Sequence, residues 1–231
     1  RNPQMVVNEI EKVKPLEAVI NGINLSAYDF NGTNLTGLIK ALKTVDCRIR
    51  LGSLEVGVID DEFLQALKEL KNFAPHFHLS LQSGSNDVLK KMNRRYTTEE
   101  FYEKVLLIRK YFPDAGITTD IIVGFPTETD EDFNETLDVV DKCQFDGAFT
   151  FIYSPREGTP ASKIKDSITL SEKEQRLHIL NEKINNYSLQ SNKKLLDKVV
   201  KVLVLGTNEK DENKVYGYTE GMKLVNISAP K

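Results

Sequence analysis

From residue 16 to residue 155, short β-forming runs alternate with amphipathic helical patterns, and within the runs polar and apolar residues also alternate. Together these two periodicities restrict the fold more than any other feature. The runs lie at residues 16–21, 47–51, 77–81, 116–123 and 147–153, and the helical patterns at 35–43, 61–71, 98–112 and 131–142. In the third helical pattern Phe101, Val105, Ile108 and Phe112 are spaced to form one apolar stripe. Capping-box pairs at Thr97 with Glu100, Thr129 with Asp132 and Ser171 with Glu174 mark three helix starts.

Strand and helix in regular alternation imply parallel strands with right-handed crossovers, in either an open doubly wound sheet or part of a barrel. The strand faces separate these two. In the third run His76, His78, Ser80 and Gln82 share one face, while Phe77, Leu79 and Leu81 share the other. Arg48 and Arg50 against Ile49 and Leu51 repeat the pattern, as do Thr118 and Asp120 against Ile117, Ile121 and Val123. A sheet covered by helices on both faces reads as nearly continuous apolar runs. These strands keep a wet face, so the expected fold is α/β, a partial (β/α) barrel with a polar lumen.

The pattern changes after Pro160. Residues 170–196 read as a long charged helix, and 199–205, 214–218 and 222–227 as strands around a polar turn at 208–213. The expected division is a barrel portion at 1–165, a connecting helix at 166–196 and a small β module at 197–231. Thirty-five residues are few for an independent domain, so the module is expected to be truncated or packed on the larger one.

Composition sets outer limits. Hydrophobic residues at 40% allow a sizeable core, yet no apolar run approaches a bilayer span, and residues 1–4 are not a signal peptide. A cytoplasmic location, no membrane partner and a start trimmed from a longer protein are expected. Two distant cysteines, Cys47 and Cys143, supply neither a disulfide framework nor a complete metal site and read as small buried residues. The net charge of −3 carries no basic footprint, so any RNA contact must come from local clusters.

In parallel α/β folds ligands bind at the carboxyl ends of strands. There the chain places Gly22, then Ser53 and Glu55, then Gln82 and Ser83, then Gly124, and finally Ser154 and Arg156. Glycines permit close backbone approach, and Ser, Gln and Glu suit ribose hydroxyls, an amine or a carboxylate. The plainer explanation of any single loop is turn chemistry; five on one rim make a ligand site. Asp120, on the wet face, needs a partner there, which Arg50 or a ligand amine provides. His76 and His78 share that face and have the spacing of a strand-borne zinc pair, but no third histidine is near in sequence, so no metal site is assigned. Lys90, Lys91, Arg94 and Arg95 form one basic cluster, and Lys193 and Lys194, with Lys198 and Lys201, form another. Both suit phosphates, and the first, beside the lumen mouth, is the better RNA candidate.

Four segments carry a resemblance: HLSLQSGS at 78–85, VLKKMNRRYT at 88–97, TDIIVGFP at 119–126 and YSPREGTPA at 153–161. In this order and spacing they closely resemble the tRNA methylthiotransferases, radical S-adenosylmethionine enzymes, over residues 5–228. RIRLGSLE at 48–55 and PHFH at 75–78 look most like the branch acting on N6-threonylcarbamoyladenosine; the alternative is the isopentenyladenosine branch. A third relative of the family modifies a ribosomal protein. The resemblance implies a partial barrel of the radical-SAM type, S-adenosylmethionine bound by the rim residues named above, tRNA as partner, and a TRAM-like module that helps hold it. It also implies two 4Fe-4S clusters in the full-length parent, each held by three cysteines. Neither triad is in this chain, so no cluster and no activity are expected of it alone, and the electron donor and sulfur source stay open. Two other readings compete: a non-catalytic tRNA-binding scaffold, and a barrel hydrolase using His76 and His78.

Overall fold

The computed structural model describes residues 1–228; the last three residues of the small module lie outside the described residues. The chain opens with α1 (Pro3–Val13), started by Asn2 as N-cap with Pro3 at the first helical position. It continues through β1 (Glu17–Ile20), a two-residue hairpin of β2 (Asp29–Phe30) and β3 (Thr33–Asn34), α2 (Leu35–Ala41), β4 (Arg48–Leu51) and β5 (Ser53–Leu54). Then come α3 (Asp61–Lys68), β6 (His76–Gln82), α4 (Asn86–Lys91), α5 (Thr98–Tyr111), β7 (Gly116–Val123), α6 (Asp130–Cys143) and β8 (Gly147–Ile152). The long α7 (Leu170–Lys193) leads to β9 (Val202–Asn208), β10 (Asp211–Thr219) and β11 (Leu224–Ser228).

β1 pairs with β4, and β5, β6, β7 and β8 pair in that order, all parallel. β4 and β5 are successive stretches of chain separated only by Gly52, where a side chain would collide with that of Asn21, so one continuous wall results. The helices α1, α2, α3, α5, α6 and α7 touch one another in that order and form a belt. They cover one face: Phe77, Leu79, Leu81, Ile117, Ile121 and Val123 are buried beneath them with Phe101, Val105 and Ile108 of α5. The opposite face of the sheet, the bare face, carries no helix among the described residues and is closed only at its amino end. One covered and one bare face is the partial-barrel arrangement that the alternating strands imply, and it excludes a doubly wound sheet.

The capping boxes at Thr97 and Thr129 form as read. The third forms two residues earlier, at Thr169 with Glu172, because Thr169 rather than Ser171 takes the extended N-cap conformation. The strand boundaries in the small module also differ: β9 to β11 begin at Val202, Asp211 and Leu224, and the supposed polar turn shortens to a tight connection after Asn208.

The small module packs on the larger unit. Its β10–β11 turn lies against the amino ends of the sheet strands, with the Gly221 carbonyl so close to Gly116 that a side chain at Gly116 would overlap it. Arg48 donates to the Tyr218 carbonyl, and Arg50 to those of Thr219 and Glu220. Lys223 pairs with Asp146 at 2.7 Å.

Candidate functional site

The bare face presents Glu17 and Val19 of β1, Arg48 and Arg50, Ser53, His78, Ser80 and Gln82, Thr118, Asp120 and Ile122, and Phe149 and Phe151 of β8. At its centre is a hydrogen-bonded string. His78 Nε2 lies 3.0 Å from Asp120 Oδ2, its Nδ1 2.9 Å from Thr118 Oγ1, and His76 Nε2 2.9 Å from the same hydroxyl. A carboxylate only accepts, so His78 donates through Nε2; in that tautomer Nδ1 accepts from Thr118, whose oxygen accepts from His76. His76 Nδ1 is then left buried without a partner. Asp120 therefore finds its partner in His78, not in Arg50. Arg50 is held lower down by Glu17 at 3.2 Å and by the module's carbonyls, which are within its reach because the module seals that end.

Burial pushes His76 down to about 4, helped by the nearby Arg50 charge. The neutral ring adds stability that is complete above pH 6.5 and lost as pH falls through about 4, because the unfolded chain binds the proton first. Wild type should lose about 1.4 kcal/mol per pH unit more than His76→Gln between pH 6 and pH 4.5, by denaturant midpoints. Equal slopes would show that this ring does not govern the acid limb.

At the strand carboxyl ends the expected residues divide. Gly22, Ser53, Glu55, Ser154 and Arg156 are exposed and Gln82 is half-buried. Gln82 takes φ 68° at a register break between β6 and β7, which re-aims its side chain. Ser53 Oγ meets Ser80 Oγ at 2.9 Å, and Ser26 accepts from the Glu55 amide, leaving the Glu55 carboxylate exposed. Ser83 does not belong to this surface: it is buried, and its hydroxyl accepts from the Ser85 amide. Gly124 is buried too. Its φ of 70° and the stem of Lys173 beside it exclude a side chain, and its amide donates to Glu128 Oε1 at 2.8 Å. The reason for that glycine is packing against α7, not approach of a ligand.

Three groups had no separate signal in the sequence. Tyr96 reaches back from the loop after α4 and donates to the Ser80 and Leu81 carbonyls, and burial pushes its hydroxyl up to about 12. Thr127 Oγ1 and Tyr153 OH, just past β7 and β8, are buried without a hydrogen-bond partner among the described residues. Orphaned hydroxyls at a strand-end rim fit a polar ligand.

The two basic clusters lie at opposite ends of the sheet. Lys90, Lys91, Arg94 and Arg95 follow β6 at its carboxyl end. Lys193 ends α7, and Lys194 lines a cleft of about 610 Å³ with Pro75, Gly116, Lys198 and Lys201, below the amino ends. They do not form one surface. No cluster of three or more possible metal ligands exists among the described residues. Both nitrogens of His78 and one of His76 are engaged within the string, so the zinc-pair reading has no support.

An iron-sulfur cluster needs accessible thiolates. Cys47 and Cys143 are both buried, and burial pushes both thiols up, Cys143 to about 12. The residues present therefore do not fit a cluster, whereas Ser53, Glu55 and Gln82, with the unpartnered hydroxyls of Thr127 and Tyr153, are polar groups at the strand ends. No described helix is long and apolar enough to cross a membrane.

The profile of the Radical SAM superfamily matches residues 1–140. Among curated relatives, proteins named tRNA-2-methylthio-N(6)-dimethylallyladenosine synthase match all of the chain: at 44% identity in Bacillus cytotoxicus and Oceanobacillus iheyensis, and at 41% in Bacillus subtilis. The chain spans about half of their length, 46–47%. Among solved structures, coproporphyrinogen III oxidase from Escherichia coli, itself a radical SAM enzyme, superposes with a TM-score of 0.60 at 14% identity. That match covers 98% of this chain and 64% of the other, and at such low identity it speaks for the fold alone.

Proposed function

Since this chain belongs to the radical SAM superfamily, we propose that it serves a tRNA methylthiotransferase whose substrate is N6-dimethylallyladenosine. The observation that carries this reading is the 44% identity, over every residue of the chain, to relatives of that name. The threonylcarbamoyl branch, to which residues 48–55 and 75–78 pointed, gains nothing from these relatives, and their names favour the isopentenyl alternative. The scaffold reading has no observation in its favour.

In this proposal Ser53, Glu55, Gln82 and the hydroxyls of Thr127 and Tyr153 hold S-adenosylmethionine, with Gly22, Ser154 and Arg156 at the margin. Bound there and given one electron by a donor outside this chain, it would release methionine and supply the carbon radical that activates the adenine. The chain's own part is orientation. His78, fixed on one side by Thr118 and on the other by Asp120, cannot turn its ring, and Asp120 keeps Oδ1 free to accept an N–H from the base or an amine. Lys90, Lys91, Arg94 and Arg95 hold phosphates at the mouth. Lys193 and Lys194 reach RNA only if it extends past the module.

The test uses the product of the intact gene, with its clusters reconstituted, and anticodon stem-loops carrying either dimethylallyl- or threonylcarbamoyl-adenosine. Methylthiolation of the first alone is expected. Methylthiolation of the second alone would return the enzyme to the other branch, and none of either would end the proposal.

A further inference from the structure

Of the eleven phenylalanines, nine are buried or half-buried, while Phe149 and Phe151 are 62% and 52% exposed. The exception is local. Both project from β8 onto the bare face, two residues apart and therefore side by side. Phe149 stands in register with Asp120 and Phe151 with Ile122. The Phe149 and His78 rings meet edge to face, with ring centroids 5.8 Å apart. One flank of the face is thus a flat apolar wall bordered by the Asp120–His78 pair.

The cations of the same face are occupied. Arg48 and Arg50 both pair with Glu17 and donate to module carbonyls, and Arg50 is buried. His78 gives its outer nitrogen to Asp120. Among the described residues of the strands, an anionic substituent meets Asp120 and no free guanidinium or ammonium, the exposed Arg156 lying beyond the end of β8, whereas an uncharged apolar one meets Phe149, Phe151 and Ile122. Aromatic side chains stack on any base, so the wall suits a flat purine, and the carboxylate beside it suits the N–H that an N6-substituted adenine retains.

We propose that Phe149 and Phe151 are the specificity-determining wall of the site: the adenine stacks on Phe149, and Phe151 with Ile122 receives an apolar N6 substituent. This rests on the tRNA reading above and adds to it the residues that select an apolar substituent over an anionic one.

The test is saturation-transfer NMR of this 231-residue chain with adenosine, N6-dimethylallyladenosine and N6-threonylcarbamoyladenosine. Wild type should bind the dimethylallyl nucleoside at least tenfold more tightly than the threonylcarbamoyl one. Phe151→Ala should abolish that preference, and Phe149→Ala should weaken all three ligands about tenfold. Both side chains are exposed, so thermal midpoints should stay within a few degrees of wild type. A wild-type preference that survives both substitutions would overturn the wall while leaving the substrate reading intact. No preference, or no binding of any nucleoside, would overturn the wall. Methylthiolation of the stem-loops by the intact gene product then judges the substrate reading separately.

Discussion

Arg176→Ala is expected to destabilise the fold by about 3–5 kcal/mol, the cost of breaking a buried ion pair from one side. Arg176 leaves α7 to meet Glu128 Oε1 at 2.8 Å and the Glu128 carbonyl at 3.2 Å, and the Glu128 side chain is 1% exposed. Its second pair, to Asp130 at 2.7 Å, contributes little because Asp130 is exposed. Burial raises the Glu128 carboxyl above its ordinary value, opposed by the Gly124 amide and by Arg176. Removing the arginine raises it further. A carboxyl raised in the folded state adds stability below its unfolded value, and this is lost as pH rises through the folded value. The deficit of Arg176→Ala should therefore be larger at pH 7.5 than at pH 5. Adding Glu128→Gln should recover part of it at the higher pH, because no bare charge stays buried. Denaturant midpoints at the two pH values measure both effects. A loss below 1 kcal/mol, equal at both, would mean that α7 is held to the β7 loop by other contacts.

Asp120→Ala is expected to lower methylthiolation by the intact enzyme on the order of 100-fold, the size of effect seen when a reacting group is misplaced by about 1 Å. The side chain is partly exposed on the bare face, so its loss costs the fold little, but His78 is then held from one side only. Asp120→Asn keeps an oxygen able to accept from His78 Nε2 and should recover about tenfold of the loss. A structural role would shift activity and thermal midpoint together. A loss of activity at an unchanged midpoint, partly restored by asparagine, shows that Asp120 acts by holding His78 as well as through its outer oxygen.

Much of this was legible in the sequence, because the barrel is built from the two simplest periodicities. The bare face could be read from His76, His78, Ser80 and Gln82 against Phe77, Leu79 and Leu81, and β7 runs over the residues read for it, Gly116–Val123. What escaped was set by tertiary neighbours. Nothing local tells that Asp120 meets a histidine forty-two positions earlier while Arg50 is claimed by a turn about 170 residues away. Gly124 and Ser83 sit where strand-end logic places ligand contacts, yet α7 and the Ser85 amide occupy them. α4 is only six residues long and was not among the helical patterns read, whereas the Asn2-Pro3 start of α1 was a usable signal that the strand pattern overshadowed. Phe149 and Phe151 read as ordinary strand residues; only their exposure sets them apart.

The most direct test is mass spectrometry of tRNA nucleosides from the source organism with the gene deleted, beside its parent and a complemented strain. Loss of 2-methylthio-N6-dimethylallyladenosine, with its unthiolated precursor accumulating and the defect reversed by the gene, is the predicted result. An unchanged level of that nucleoside, whether or not a methylthiolated threonylcarbamoyladenosine disappears instead, would contradict it.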